Sequence, residues 1–193
     1  MQKLNRALLW SLEQYSDIRQ NFRAEVMAHK VPRRIAIGSH ATLYFEDFRT
    51  MKYQVQEMLR TERIFESAAI EDEIDAYNPL IPDGGNLKAT FMIEYSDEAE
   101  RRAALAELGG IEHTVWIDVD GSVKVFAVAN EDLERSTEEK ASAVHFLRFE
   151  LDAAAIAGFK SGGRVRFGID HPGLAGEVAL TAAQLESLAQ DLD

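Results

Sequence analysis

The chain has 193 residues, enough for one large domain or two small ones, and its 46% hydrophobic and 28% charged content is that of an ordinary soluble globular protein. It contains no cysteine, which excludes disulfides, thiolate metal sites, iron–sulfur ligation and cysteine nucleophiles. Net charge is −12 but uneven: residues 1–60 carry ten Lys and Arg against six Asp and Glu, residues 61–193 eleven against 27. So acidic a body repels a phosphate backbone, and nucleic acid is not an expected partner.

The N-terminus lacks the continuous apolar core and cleavage site of a signal peptide, and no window approaches the roughly 18 apolar residues of a membrane span. A soluble cytoplasmic protein with no membrane partner is expected. Residues 5–30 read as helix, with a break near Ser16-Asp17 and a stop at Pro32. RRIAIGSHATLYFED reads as a β-hairpin turning at Gly38-Ser39. Asp47 then caps a long central helix running to about residue 68, with IEDEIDAY adding further turns.

YNPLIPDGGN is the clearest joint in the chain, since Asn-Pro and Pro-Asp-Gly-Gly are turn chemistry. It divides a helix–hairpin–helix part, 1–80, from an antiparallel α+β sheet part, 81–193. In the second part LKATFMIEY is a strand, and a helix runs from a Ser96 cap to Gly109-Gly110. HTVWIDVDGSVKVFAVA is a hairpin turning at Asp120-Gly121. A polar helical connection over 131–143 leads to the strand VHFLRFEL, an Asp152-capped helix and the strand RVRFGID. Thr181 and Gln184 then open a last helix at capping-box spacing. The fold class predicted is α+β: N-terminal helices and a hairpin, with a long central helix packed on a mostly antiparallel sheet. From 87 to 151 the order β-α-β-β-α-β is ferredoxin-like.

Projected at about 100° per residue, the central helix places Met51, Val55, Met58 and Leu59 on one stripe, and Glu62 falls inside it. A buried carboxylate must be paired, hydrogen-bonded, metal-bound or protonated. Glu57 lies roughly 140° away, so the two acids cannot share one metal or act as a dyad. Glu57 is expected to pair with Arg60 at i+3, and Glu62 with an arginine such as Arg33 or Arg34. His145 shares strand parity with Leu147 and Phe149, and His171 with Phe167 and Ile169, so both point to apolar faces. His171 also ends its strand beside Asp170, at the start of a loop.

A mononuclear metal or acid–base site would therefore draw on Glu62 (or Glu57) with His145 and His171. No Glu-x-x-His, His-Glu-x-x-His, Gly-x-Ser-x-Gly, P-loop or dinucleotide fingerprint occurs. Arg19, Arg23, Arg33 and Arg34 form a basic cluster that would bind a small anion or meet the acidic half, within the chain or across a homodimer.

Four stretches, HATLYFEDFRTMKYQVQEMLRTERIF, DAYNPLIPDGGNLKATFMIEY, EKASAVHFLRFEL and GIDHP, resemble a bacterial family known as a domain of unknown function, and the resemblance spans nearly the whole chain. It transfers no catalytic residues. Members are often encoded near rubrerythrin-like and iron–sulfur proteins, which implies an accessory role with a redox-protein partner in peroxide- or iron-linked metabolism. The matching stretches nominate Glu57, Glu62, Tyr77, Asn78, His145, Asp170 and His171 as a domain junction or a pocket. A non-catalytic accessory protein is the leading expectation, ahead of the metal or acid–base enzyme and the anion binder.

Overall fold

Helix α1 (Leu12–Lys30) begins at a capping box in which Ser11 Oγ accepts from Gln14 N–H while the Gln14 side chain accepts from Ser11 N–H. The expected break at Ser16-Asp17 does not form. The cap lies five residues earlier, and Ser16 and Asp17 sit exposed to water inside a continuous helix. This is a computed structural model, and it describes residues 1–129, 131 and 141–193.

After Pro32 the chain pairs β1 (Arg34–Ile37) with β2 (Ala41–Phe45) through a turn at Gly38, whose φ of +68° suits a residue without a Cβ. Asp47 caps α2 (Phe48–Thr61), with Thr50 completing the box. This helix stops before the predicted end, because Arg63 adopts a left-handed φ of +53°. The following α3 (Ser67–Tyr77) is a separate helix.

The second half supplies β3 (Asn86–Ile93), α4 (Glu98–Glu107), β4 (Val115–Val119), β5 (Val125–Phe126) and β6 (Val128–Ala129). It continues with β7 (Val144–Glu150), α5 (Ala153–Lys160), β8 (Val165–His171), β9 (Leu174–Ala179) and α6 (Ala182–Ala189). The fold is α+β, as read from the sequence. The strands form two antiparallel sheets, ordered β1-β2-β3-β7-β6 and β5-β4-β8-β9. The single ferredoxin-like sheet is not what forms: β3 and β7 pair with each other in one sheet while β4 and β5 belong to the other. Element order does not specify which sheet a strand joins; burial does. Leu87, Ala89, Phe91 and Ile93 of β3 alternate inward, as do Val165, Phe167 and Ile169 of β8, and two such half-apolar faces pack against each other. Most of the predicted 131–143 helix lies outside the described residues.

Phe45, Phe149 and Phe167 join the two sheets at the centre of this sandwich, with ring centroids 5.0–6.2 Å apart. A second, smaller core of Leu4, Met51, Val55, Leu59, Ile74 and Ile81 holds the helices. The hairpin β1-β2 comes from the N-terminal part yet pairs with β3, so the first sheet is continuous across the 80/81 joint. No helix among the described residues is long and apolar enough to cross a membrane.

Candidate functional site

Glu57 is a structural acid. Its carboxylate accepts from Tyr15 OH at 2.6 Å and from Arg19 Nε and Nη2 at 2.7 Å each. The bidentate Arg19 bond, aided by Tyr15, holds it down at about 2. The partner is therefore Arg19 from α1 rather than Arg60 one turn away, because the α1 fork and hydroxyl converge on it across the helix pair. Glu62 is exposed and is the C-cap of α2. The apolar stripe reaches it only if the helix continues, and the helix ends one residue before it.

Asn78 holds the N-terminal segment. Its Oδ1 accepts from Leu4 N–H at 2.8 Å and its Nδ2 donates to Leu4 C=O at 3.0 Å. Gln56, fully buried, makes the same two-way clip on Trp10. Tyr77 packs against the small helical core beside them.

The two histidines lie in different sheets but approach one loop. His171 Nε2 donates to Gly109 C=O at 3.2 Å, and its Nδ1 accepts from Gly173 N–H. Buried His145 donates from Nε2 to Ser142 C=O and places Nδ1 3.8 Å from the buried Glu112 carboxylate. Both rings thus fix residues 109–112, and neither meets Glu57 or Glu62 in any hydrogen bond or ion pair of the described residues. No group of three or more His, Asp or Glu there is arranged to hold a metal ion. Asp170 faces away from His171, accepting from Trp116 Nε1 at 2.8 Å and pairing with Lys124 at 2.7 Å. The Lys124 bond, then Trp116, lowers its pKa.

The basic cluster is dispersed. Arg23 donates to Tyr53 OH, and exposed Arg34 lies over the Tyr44 ring, 3.8 Å from Glu94. Arg33 is 1% exposed. It donates to the carbonyls of Phe45, Glu46 and Ser187 and pairs with Asp191, with Asp47 at 3.5 Å and His29 beyond it, 2.5 Å from Asp47. An anion from solvent does not reach it. Burial pushes Asp191 up to about 6 despite Arg33, whereas His29 and Arg33 overcome burial at Asp47 and hold it at about 2.

Among the described residues, a cleft of about 230 Å³ lies where the helical part meets the outer face of the first sheet. Ala76, Pro79 and Leu80 form one wall, and Phe146 and Leu147 line the sheet side. Lys88 and Arg148, cross-strand partners on β3 and β7, stand at the rim with Glu131. Lys88 Nζ donates to Pro79 C=O at 2.5 Å, and burial lowers its pKa. Arg148 grips both Glu131 oxygens, at 2.8 and 2.9 Å, and also bonds Glu150.

A family model described as a protein of unknown function, DUF3501, matches residues 3–192. The chain belongs to the DUF3501 family. A solved structure described as a novel protein of unknown function from Burkholderia pseudomallei K96243 resembles this DUF3501 chain at 50% identity, covers 100% of both chains and has a TM-score of 0.94. No curated protein matches. Of the residues nominated from the matching stretches, Tyr77 and Asn78 lie between Ala76 and Pro79 in the chain but do not line the cleft. Lys88, Arg148 and Glu112 were missed. Equal parity on two antiparallel strands could have paired Lys88 with Arg148, but only once the strand register was known.

Proposed function

We propose that the protein is a non-catalytic accessory protein whose recognition point is the cleft between residues 76–80 and the β3/β7 face. The observation that carries this reading is the cleft's composition: an apolar floor and wall, with Lys88, Arg148 and Glu131 at the mouth. An apolar pocket ringed by charge is the usual setting for an anchor side chain at a protein interface. At about 230 Å³ it is also smaller than the ~300–1,000 Å³ typical of cofactor and small-molecule sites. It has room for one large apolar side chain of a partner. The half-desolvated Lys88 favours an acidic residue flanking that anchor, because its ammonium has donors left beyond the bond to Pro79. The resemblance in the four sequence stretches adds a redox protein as the partner to seek first. The structural engagement of Glu57, Asn78 and His171 supports a non-catalytic reading.

A photo-crosslinking residue at Pro79, in the producing cell, is expected to capture one discrete partner, and Ala76→Arg, which sets a long cation on the cleft wall, is expected to abolish capture. A crosslinker at the exposed Val123 serves as the control. Equal capture from both positions, or capture indifferent to Ala76→Arg, would overturn the reading.

A further inference from the structure

The cleft has one wall on residues 76–80 and its other side on β7 and Lys88 of β3, and the loop 81–85 joins that wall to β3. That loop is held by the last residues of the sequence. Leu192 forms a parallel bridge with Gly84, and Asp193 N–H donates to Gly84 C=O at 2.9 Å. The fit is close: Gly84 has φ +102°, and a Cβ added there would lie 2.1 Å from the Asp193 carboxylate. Asp83 and Asn86 tie the loop internally, and Leu151 N–H donates to Gly85 C=O at its other side.

The tail is fastened at two further points, through Leu192 and Asp191. Leu192 is buried in the sandwich core, and its carbonyl accepts from Lys160 Nζ at 3.3 Å. Asp191 is 4% exposed and paired with Arg33, which is itself fixed by three carbonyls from β2's end and α6. A buried ion pair of this kind specifies geometry more than it adds stability, and removing one partner is costly. Its position between α6 and the tail sets where residues 192–193 reach the loop.

We propose that residues 190–193 act as a strap that holds loop 81–85 in place and thereby sets how far the cleft opens, with the Arg33–Asp191 pair as its pin. The inference rests on the cleft being the recognition point. It makes the wall at residues 76–80 movable against the β3/β7 face, with the strap as the governor.

The chain has no cysteine, so Leu80→Cys supplies a single reporter on the cleft wall. Its reaction rate with an aromatic disulfide reports opening without need of a partner. Gly84→Ala, whose Cβ displaces the Asp193 side chain and strains the contact at φ +102°, and Asp191→Ala, which removes the pin, are each expected to raise that rate about tenfold. Hydrogen exchange over 78–88 should rise in parallel, while strands 115–119 and 165–171 keep wild-type protection. Asp191→Asn keeps an acceptor for Arg33 and should stay within about twofold of wild type. Because Gly84→Ala leaves the buried pair intact, it remains decisive should Asp191→Ala fail to fold. An unchanged thiol rate in Gly84→Ala, with the core strands protected, would overturn the strap. Failed capture from Pro79 with an accelerated thiol rate would instead sink the recognition reading and leave the strap standing.

Discussion

The sandwich and the helical part are held together by different physics. In the sandwich, side chains from two sheets meet in one apolar core, and three phenylalanine rings cross between the sheets. The helical part has only a handful of buried aliphatics, supplemented by named polar bonds: Gln56 on Trp10, Asn78 on Leu4, and Glu57 between Tyr15 and Arg19. Apolar burial is non-directional and tolerates volume-conserving change. A polar clip works only if both partners are present, because a buried N–H or C=O left unpaired costs its full desolvation. Truncating volume should therefore hurt the sandwich most, and removing hydrogen-bond capacity at constant volume should hurt the helical part.

The largest effect is expected from Phe149→Ala, which empties the centre of the ring trio. Large-to-small changes of this type cost about 3–5 kcal/mol, from lost transfer energy and the cavity left behind. Urea unfolding should show a lower midpoint for the whole chain. A loss under 1 kcal/mol would mean the two sheets can collapse onto the gap, and the contrast with the helical part would weaken.

Next in size is a pH effect at the seam between the regions. Asp191 sits at about 6, above the ordinary 3.8, because burial outweighs Arg33. A raised carboxyl pKa means that folding favours the protonated form, so its contribution is complete below about pH 4 and is lost as pH rises through 6. At 1.36 kcal/mol for each pKa unit, wild type should lose about 2 kcal/mol of this contribution between pH 4.5 and 7.5. Asp47 and Glu57, both held at about 2, have the opposite sign: their contribution is present above the ordinary carboxylate range and is lost as pH falls towards 2. The measurement is unfolding free energy against pH for wild type and Asp191→Asn. The difference between the two curves should slope over pH 4.5–7.5, and parallel curves would remove the assignment.

Gln56→Leu tests the helical part directly. Volume is nearly kept, but Trp10 loses partners for both its N–H and its C=O, at a cost of about 2 kcal/mol. Hydrogen exchange should rise over residues 4–12 and leave strands 165–171 untouched. A uniform rise across the chain would show that the two regions unfold as one unit.

Much of this contrast was legible in the sequence, and the reasons differ by region. Alternation placed Leu147, Phe149, Phe167 and Ile169 on inner strand faces, since period two survives in the strand whatever sheet it joins. The caps at Asp47, Asp152 and Thr181 were legible because capping is local chemistry. Sheet partition was not, because it depends on which half-apolar faces meet. Strand β9 escaped notice because LAGEVA buries little of itself, being half-exposed or more along its length. The site suffered more: Glu57 finds Arg19 across 38 positions, and Arg33 finds Asp191 across 158. Pairings so distant leave no periodic trace, and helical geometry offered Arg60 in their place.

Glu62 gives the smallest predicted effect and the sharpest check on how the helical part ends. Read as a continuing helix, its stripe would bury the carboxylate among Met58 and Leu59, and Glu62→Leu would relieve a buried charge and stabilise the fold. In the structure the helix ends at Thr61, Glu62 N–H closes the last turn onto Met58 C=O at 2.9 Å, and Arg63 turns the chain away. The carboxylate points into water. An exposed C-cap acid sits at the negative end of the helix dipole, where a carboxylate is mildly unfavourable. Glu62→Gln should therefore change stability by less than about 0.5 kcal/mol, slightly upward, with an effect that fades in salt. Glu57→Gln, in the same helix, breaks the bidentate bond to Arg19 and should cost about 1–3 kcal/mol. If the two substitutions instead act alike, the left-handed Arg63 is not the true end of the helix, and the polar account of the helical part loses its clearest boundary.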